Sequence, residues 1–328
     1  MNSLVSICIP TYERPDLVYQ AIESGLNQTY RPIEIIVCDD SKTDASEQMI
    51  QSLNGIDDKV VRYYRNQPAL GQAGNVNRLF DLAQGDRLVL LHDDDLLMPD
   101  ALKKMTDCWQ TNPNLVACFG KQSIINMAGE ILEERSEQLN QTYHRTEHNA
   151  GLQPSSLFTA ISGQFPNDGY MVLTQAARNT RYRDRSEVSN ACDFDFGLRL
   201  AETYDQFYFV NHYTALYRLT TEAVSSQNTH SHITYELIAA LTVPEDVEAI
   251  RSDRLRTYAS AAINEWLSIG NQAAAYKIYT SLYHPWSKRF TSRGLVQLLL
   301  IVCPQTLSIQ ATNRLKRRQP TIQLPTLS

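Results

Sequence analysis

Four short apolar runs separated by helix-patterned segments constrain this chain more than any other feature. Leu4–Ile9 (LVSICI), Ile33–Cys38 (IEIIVC), Lys59–Tyr64 and Arg87–Leu91 alternate with helical spacing over Asp16–Asn27, Thr43–Leu53 and about Ala73–Leu82. Runs this continuously apolar read as strands buried on both faces, and their alternation with helices predicts an α/β fold around a parallel sheet. Pro10 closes the first strand, Asp16 is the expected cap of the first helix, and Gly85 is the expected C-terminal cap of the third.

In such sheets ligands bind outside the carboxyl ends of the strands. Polar groups fall at three of those ends: Tyr12, Glu13 and Arg14 after the first strand, Asp39 and Asp40 after the second, and His92-Asp93-Asp94-Asp95 after the fourth. Adjacent carboxylates repel, so a triplet at a strand end calls for a cation or for solvent. Hard oxygen ligands at a strand-to-loop corner suit Mg²⁺ or Mn²⁺ held with substrate phosphates. A solvated acidic loop is the alternative, but apolar residues frame the triplet on both sides, with Leu96-Leu97-Met98-Pro99 following it. Asp39-Asp40 reads equally as turn chemistry before a helix or as a carboxylate for a nucleotide base or ribose.

Composition narrows the class. The 328 residues are 43% hydrophobic and 20% charged, a globular composition, and their length suits one large domain or two ordinary ones. No apolar run approaches the ~18 residues of a membrane span, and Met1–Pro10 has neither the positive n-region nor the cleavage site of a secretory signal. The six cysteines are scattered without a CxxC pair, which fits reduced thiols and a cytoplasmic location. Net charge is -6 but unevenly placed: from His284 onward there are seven Lys or Arg and no acid. A body this acidic argues against nucleic acid as a partner.

Beyond residue 115 the pattern loosens, with strands expected at Val116–Phe119 and Gly169–Leu173 and a polar connection between them. Helical spacing returns over Ile233–Leu241, Val247–Ile269 and Gln272–Tyr283. These shifts place a boundary near residues 225–232, giving a first domain over 1–228 (halves about 1–100 and 101–228) and a helical region over 229–328.

Several of these stretches together resemble family 2 glycosyltransferases of GT-A fold. They are VSICIPTYERP (Val5–Pro15), IIVCDDS (Ile35–Ser41), Asn77 followed by Ala83-Gln84-Gly85, and LVLLHDDDLLMP, then CDFDFGLRL (Cys192–Leu200) and LYRLTTEAVS (Leu216–Ser225). They occur in the family's order over roughly two thirds of the chain. The resemblance implies a Rossmann-like, mostly parallel central sheet flanked by helices, followed by a C-terminal helical region. It also implies an inverting transfer from a nucleoside-diphosphate sugar, a UDP-sugar foremost, to a hydroxyl of a glycan or lipid-linked acceptor. The setting would be bacterial-type polysaccharide, O-antigen or capsule assembly. Pro10, Thr11, Tyr12, Glu13, Arg14, Asp40, Asn77 and Asp93 would contact the nucleotide-sugar, Asp94 and Asp95 would hold Mn²⁺ or Mg²⁺, and Asp193 would be the general base. Asp168, in QFPNDGY, would face the acceptor, or that stretch is a plain turn; Arg218 would reach the diphosphate or order the loop after the sheet, a structural ion pair being the equal alternative. Asp195 is expected to pair with Arg199 one helical turn on.

The sequence departs from the family at three places. His92 stands where an Asp is frequent, Cys192 replaces the usual Glu before the base, and Glu13 replaces a frequent Asn. Cys192 keeps a non-catalytic nucleotide-sugar binder open as an alternative. A nucleotidyltransferase of related fold would want a glycine-rich basic loop near its start, and the first glycine here is Gly25. The basic and apolar stretch from Trp286 to Arg318 has two readings. One is a helix packed on the catalytic domain, favoured for Leu295–Cys303; the other is peripheral contact with an anionic membrane at its cytoplasmic face, favoured for Arg314–Arg318.

Overall fold

A computed structural model describes residues 3–51, 60–220 and 230–316. The chain divides into two compact units, Met1–Glu187 with Cys192–Thr220, and Val188–Ala191 with Thr221–Ser328.

The first unit is built on a nine-stranded sheet. Its strands are β1 (Val5–Thr11), β2 (Ile33–Asp39), β3 (Val61–Arg65), β4 (Arg87–Leu90), β5 (Leu96–Leu97), β6 (Ala117–Ile125), β7 (Gly151–Leu152), β8 (Met171–Leu173) and β9 (Phe207–Arg218). They run in the order β3-β2-β1-β4-β8-β6-β9-β5, with β7 on β9. The β3-β2-β1-β4 half is wholly parallel, as the apolar runs predict. β8 then enters antiparallel between β4 and β6, while β6 and β9 pair in parallel. The core lies where the sequence puts it: β1 and β2 bury almost every residue against Val18, Ile22, Leu102 and Met105 of the covering helices.

The chain runs outward from β1 to β2 to β3 and then returns to place β4 on the other side of β1. That reversal makes the β1/β4 boundary a switch point, where the loops diverge and leave a crevice at their carboxyl ends. The post-β1 loop and the aspartate triplet both begin there.

Three local expectations need correction. Pro10 does not close the first strand, since β1 runs through it to Thr11, still paired with β2. Asp16 does not cap the first helix, Pro15–Leu26; Arg14 occupies the cap position without a side-chain bond, and Pro15 starts the helix with φ already set. Gly85 is not a helix cap either, since the helix Gly71–Leu82 ends at Ala83. A Cβ at Gly85 would lie 2.6 Å from the Leu4 carbonyl oxygen, so the glycine lets this loop pass against β1.

The second unit contains the helices Ser231–Ala240, Glu245–Ser268, Gln272–Thr280, Trp286–Arg289, Ser292–Val302 and Gln305–Lys316. Among the described residues, no helix is long and apolar enough to cross a membrane. Residues 221–225 of the expected closing motif, together with Arg317 and Arg318, lie outside the described residues.

Candidate active site

The switch-point crevice is organised by Asp93. Its Oδ2 accepts from the Thr11 hydroxyl at 2.8 Å and from the Tyr12 amide at 3.4 Å, and its Oδ1 from Arg14 at 3.1 Å. The post-β1 loop is thus tied to the post-β4 loop through one carboxylate. Burial, reinforced by the neighbouring Asp94, pushes the Asp93 carboxyl up to about 6 despite Arg14 and Thr11. Asp40 joins the same rim, because its amide donates to the Thr11 carbonyl at 3.1 Å. Its Oδ1 accepts from Asn66 at 2.6 Å and from the Leu70 amide at 3.0 Å. Asp39 is the turn residue of the pair: Oδ1 takes the Ser41 amide and Oδ2 the Tyr63 hydroxyl, both at 2.7 Å.

Tyr12 is half exposed at this rim, free to face a planar ring. Glu13 faces elsewhere. It adopts a left-handed backbone (φ 55°), and its carboxylate accepts from the Lys42 amide at 2.7 Å and the Thr43 hydroxyl at 3.3 Å. Its negative charge therefore braces the loop after β2, which accounts for a Glu so near an expected pyrophosphate. Pro10 lies in β1, paired with Cys38.

His92, Asp94 and Asp95 each bring a ligand atom to within 4.8 Å of the others. Asp95 is buried, with Oδ1 fixed by the Arg218 amide at 2.7 Å, while its Oδ2 has no hydrogen-bond partner. Burial, then the charges of Asp168 and Asp94, hold the Asp95 carboxyl well above the usual range. A buried carboxylate oxygen without a partner, beside a second carboxylate and an imidazole, is the donor set a divalent cation would complete. Arg14 meanwhile reaches Asp94 Oδ2 at 2.8 Å, supplying positive charge at the same carboxylate.

Asp168 belongs to this cluster rather than to a plain surface turn. It is buried, and it accepts from the His92 amide and from Gln122, each at 3.3 Å. Asp193 lies in the first turn of the helix Cys192–Thr203. Its Oδ1 takes the Tyr182 hydroxyl at 3.0 Å and lies 3.7 Å from His92 Nε2, and its Oδ2 is 3.4 Å from the Gln72 amide nitrogen. Burial would draw the imidazole down, yet Asp168, Asp193 and Asp95 together hold His92 well above its ordinary value. Residues 40, 92–95, 168 and 193 are thus linked around one crevice although up to 153 positions separate them.

Two expected contacts, Asn77 and Arg218, brace other residues of the site here. The Asn77 side chain clasps the Tyr182 backbone, donating to its carbonyl at 2.9 Å and accepting from its amide at 2.8 Å. Asn77 therefore holds Tyr182, which holds Asp193. Arg218 is buried, and its guanidinium donates to the carbonyls of Asp94, Asn126 and Met127 and to Gln20, bracing the aspartate loop from behind. Cys192 is buried, which pushes its thiol up to about 12 and leaves it neutral beside Asp193. Asp195 pairs with Arg199 as expected and with Arg183 as well.

Sequence reasoning missed Tyr182, Gln72 and Gln122. None sits in an acidic or glycine-marked stretch, and only the fold brings them to the carboxylates.

Residues 6–164, just under half of the chain, match the model of glycosyl transferase family 2, and the sheet and its crevice are arranged as the resemblance to that family implies. It is 34% identical over 133 residues to a GalNAc(5)-diNAcBac-PP-undecaprenol beta-1,3-glucosyltransferase of Campylobacter jejuni, covering 40% of this chain and 42% of that one. Over 92 residues it is 41% identical to the Escherichia coli UDP-Glc:alpha-D-GlcNAc-diphosphoundecaprenol beta-1,3-glucosyltransferase WfaP, covering 28% and 36% of the two chains. The chain therefore spans about two fifths of the length of these curated relatives. In fold it resembles Staphylococcus aureus TarS 1-349, solved with UDP-GlcNAc, with TM-score 0.63 at 11% identity over 94% of this chain and 91% of that one. It also resembles a Pyrobaculum calidifontis mannosyltransferase solved with GDP-Man and Mn²⁺, with TM-score 0.53 at 14% identity over 97% and 89%.

Proposed function

We propose that this protein transfers a sugar from a nucleoside-diphosphate donor, a UDP-sugar foremost, to an acceptor hydroxyl with inversion. The observation that carries the reading is Asp193, held by Tyr182 beside the His92–Asp94–Asp95 cluster at the switch point. Nucleotide contacts fall to the Thr11–Arg14 loop and Asp40, with Tyr12 presenting its ring. Asp193 accepts the proton of the attacking acceptor hydroxyl, and Tyr182, whose phenol is pushed well up by burial and then by Tyr170 and Asp193, stays protonated and fixes that carboxylate's orientation. His92, Asp94 and Asp95 would hold the cation. A divalent ion bound there supplies positive charge to the departing diphosphate. The imidazole in the donor set favours Mn²⁺ over Mg²⁺.

The acceptor is a glycan carried on a lipid diphosphate, in the assembly of a bacterial-type surface polysaccharide at the cytoplasmic face of a membrane. Two relatives whose names specify undecaprenol-linked substrates support this. A panel of nucleotide-sugars tested by thermal shift with and without Mn²⁺, followed by transfer assays on the stabilising donor, tests the proposal. Stabilisation by a UDP-sugar and metal-dependent turnover are expected; a protein that binds donor without turning it over would be a binder.

A further inference from the structure

In the second unit, the helix Ser292–Val302 is turned against its own composition. Its narrow inward face, Gly294, Gln297 and Ile301, packs on the helices Glu245–Ser268 and Gln272–Thr280, and the buried anchor of that face is polar. Gln297 donates to the Ser260 carbonyl at 2.9 Å and to Asn264 at 2.7 Å. The leucines face outward: Leu299 is 65% and Val302 70% exposed, flanked by exposed Leu295 and Leu298. A helix buried only for stability would show the opposite pattern. Most of this apolar run is therefore left outside the packing of its own unit.

The neighbouring turn is presented in the same way. Trp286 (67% exposed) and Phe290 (70%) stack on each other with ring centroids 5.6 Å apart. They are fastened to the helix start, where a Cβ on Gly294 would collide with the Lys288 and Arg289 carbonyls. Arg289 is engaged with the His284 and Ser281 carbonyls, both at 2.7 Å, whereas Lys288 and Arg293 are exposed.

We infer that this face, Trp286–Val302, docks peripherally on an anionic phospholipid bilayer. Leucines and valine would enter the acyl boundary, the aromatic pair would sit at headgroup level, and Lys288 and Arg293 would meet lipid phosphates. Charge selects this occupant. Trp286–Val302 carries three bases, Lys288, Arg289 and Arg293, and no acid. A second copy seated on the face would bring two such segments together, and an uncharged partner would leave the bases unmatched. The inference deepens the reading of a lipid-linked acceptor, because it names the surface that brings the protein to it.

Co-sedimentation of the full chain with phosphatidylcholine vesicles, and with vesicles also containing phosphatidylglycerol, tests this. Binding only to the anionic vesicles, weakening as salt is added, is expected. Lys288→Ala with Arg293→Ala should weaken it about 25-fold, roughly fivefold per base. Leu299→Ser with Val302→Ser should weaken it by more than about tenfold. These side chains are exposed, so unchanged melting temperatures should show that the variants fold. Failure to bind either vesicle, or equal binding to both, overturns the inference. So does self-association that these substitutions abolish, which would make a second copy the occupant. Donor binding measured without vesicles reports on the transferase reading separately and should be unaltered in every variant.

Discussion

The Tyr182 hydroxyl donates to Asp193 Oδ1 at 3.0 Å, and Asn77 clasps the backbone of that tyrosine with both ends of its amide. A residue of the helix Gly71–Leu82 is thereby connected to a carboxylate 116 positions later, which explains how the proposed base is aimed without the glutamate the family usually places beside it. Replacing Asp193 by Asn keeps the shape and removes the proton acceptor. Turnover should fall by about 10²–10⁴-fold while donor binding persists. Tyr182→Phe removes the hydrogen bond to Asp193, along with a longer one to the Tyr170 hydroxyl at 3.5 Å, and should cost about tenfold in kcat with little change in donor KM. Steady-state kinetics on both variants checks the pair; loss of donor binding in Asp193→Asn would place that residue in the donor site instead.

Asp94 is shared between Arg14 and the proposed cation position. Asp94→Ala should abolish Mn²⁺-dependent stabilisation by the nucleotide-sugar. Arg14→Gln should tighten Mn²⁺ binding to the donor-free protein, since a competing charge is removed. Calorimetric titration of Mn²⁺ into the three proteins, and chelation of the wild type, measure both effects.

Asp93 gives a pH signature. Its carboxyl is held at about 6 in the folded protein, above its ordinary value. Between about pH 4 and 6 the folded state keeps a proton that the unfolded chain has released, so this group's contribution is most favourable in acid and declines as pH rises through that window. The decline should be on the order of 2–3 kcal/mol. Asp93→Asn should lack it, so the melting temperature of the variant relative to wild type should rise from pH 4 to pH 7. Parallel curves would contradict the assignment.

Asp195 is structural. It is buried and serves Arg183 and Arg199 at once, and its loss would take the carboxylate from both, leaving Arg199 the Thr180 and Arg181 carbonyls. Both arginines are partly exposed and can recover water, so Asp195→Ala should cost about 2–3 kcal/mol, below the ~3–5 kcal/mol of a fully buried pair. Chemical denaturation checks this.

The first half of the sheet was legible because its strands are buried on both faces and carry that in composition alone. β1, β2 and β4 lie within one or two residues of the apolar runs. The short β5, β7 and β8 were not legible in the same way: β5 and β7 have two residues each and take their identity from pairing with β9. The carboxylates of the crevice were legible as candidates because charge beside apolar sequence stands out. Their helpers were not, since Tyr182, Gln72 and Gln122 look like any polar residue.

The sequence by itself determined the alternation that makes a parallel sheet, the strand ends that carry acids, and the segment after His284 that has bases and no acid. Tertiary structure decided what each polar group does. It gave Glu13 to the loop after β2, Asn77 to Tyr182, Arg218 to the back of the aspartate loop, and the leucines after Gly294 to the outside. The physical reason is range: burial and periodicity act between near neighbours in sequence. A hydrogen bond or an exposed face depends on which distant segment arrives beside it.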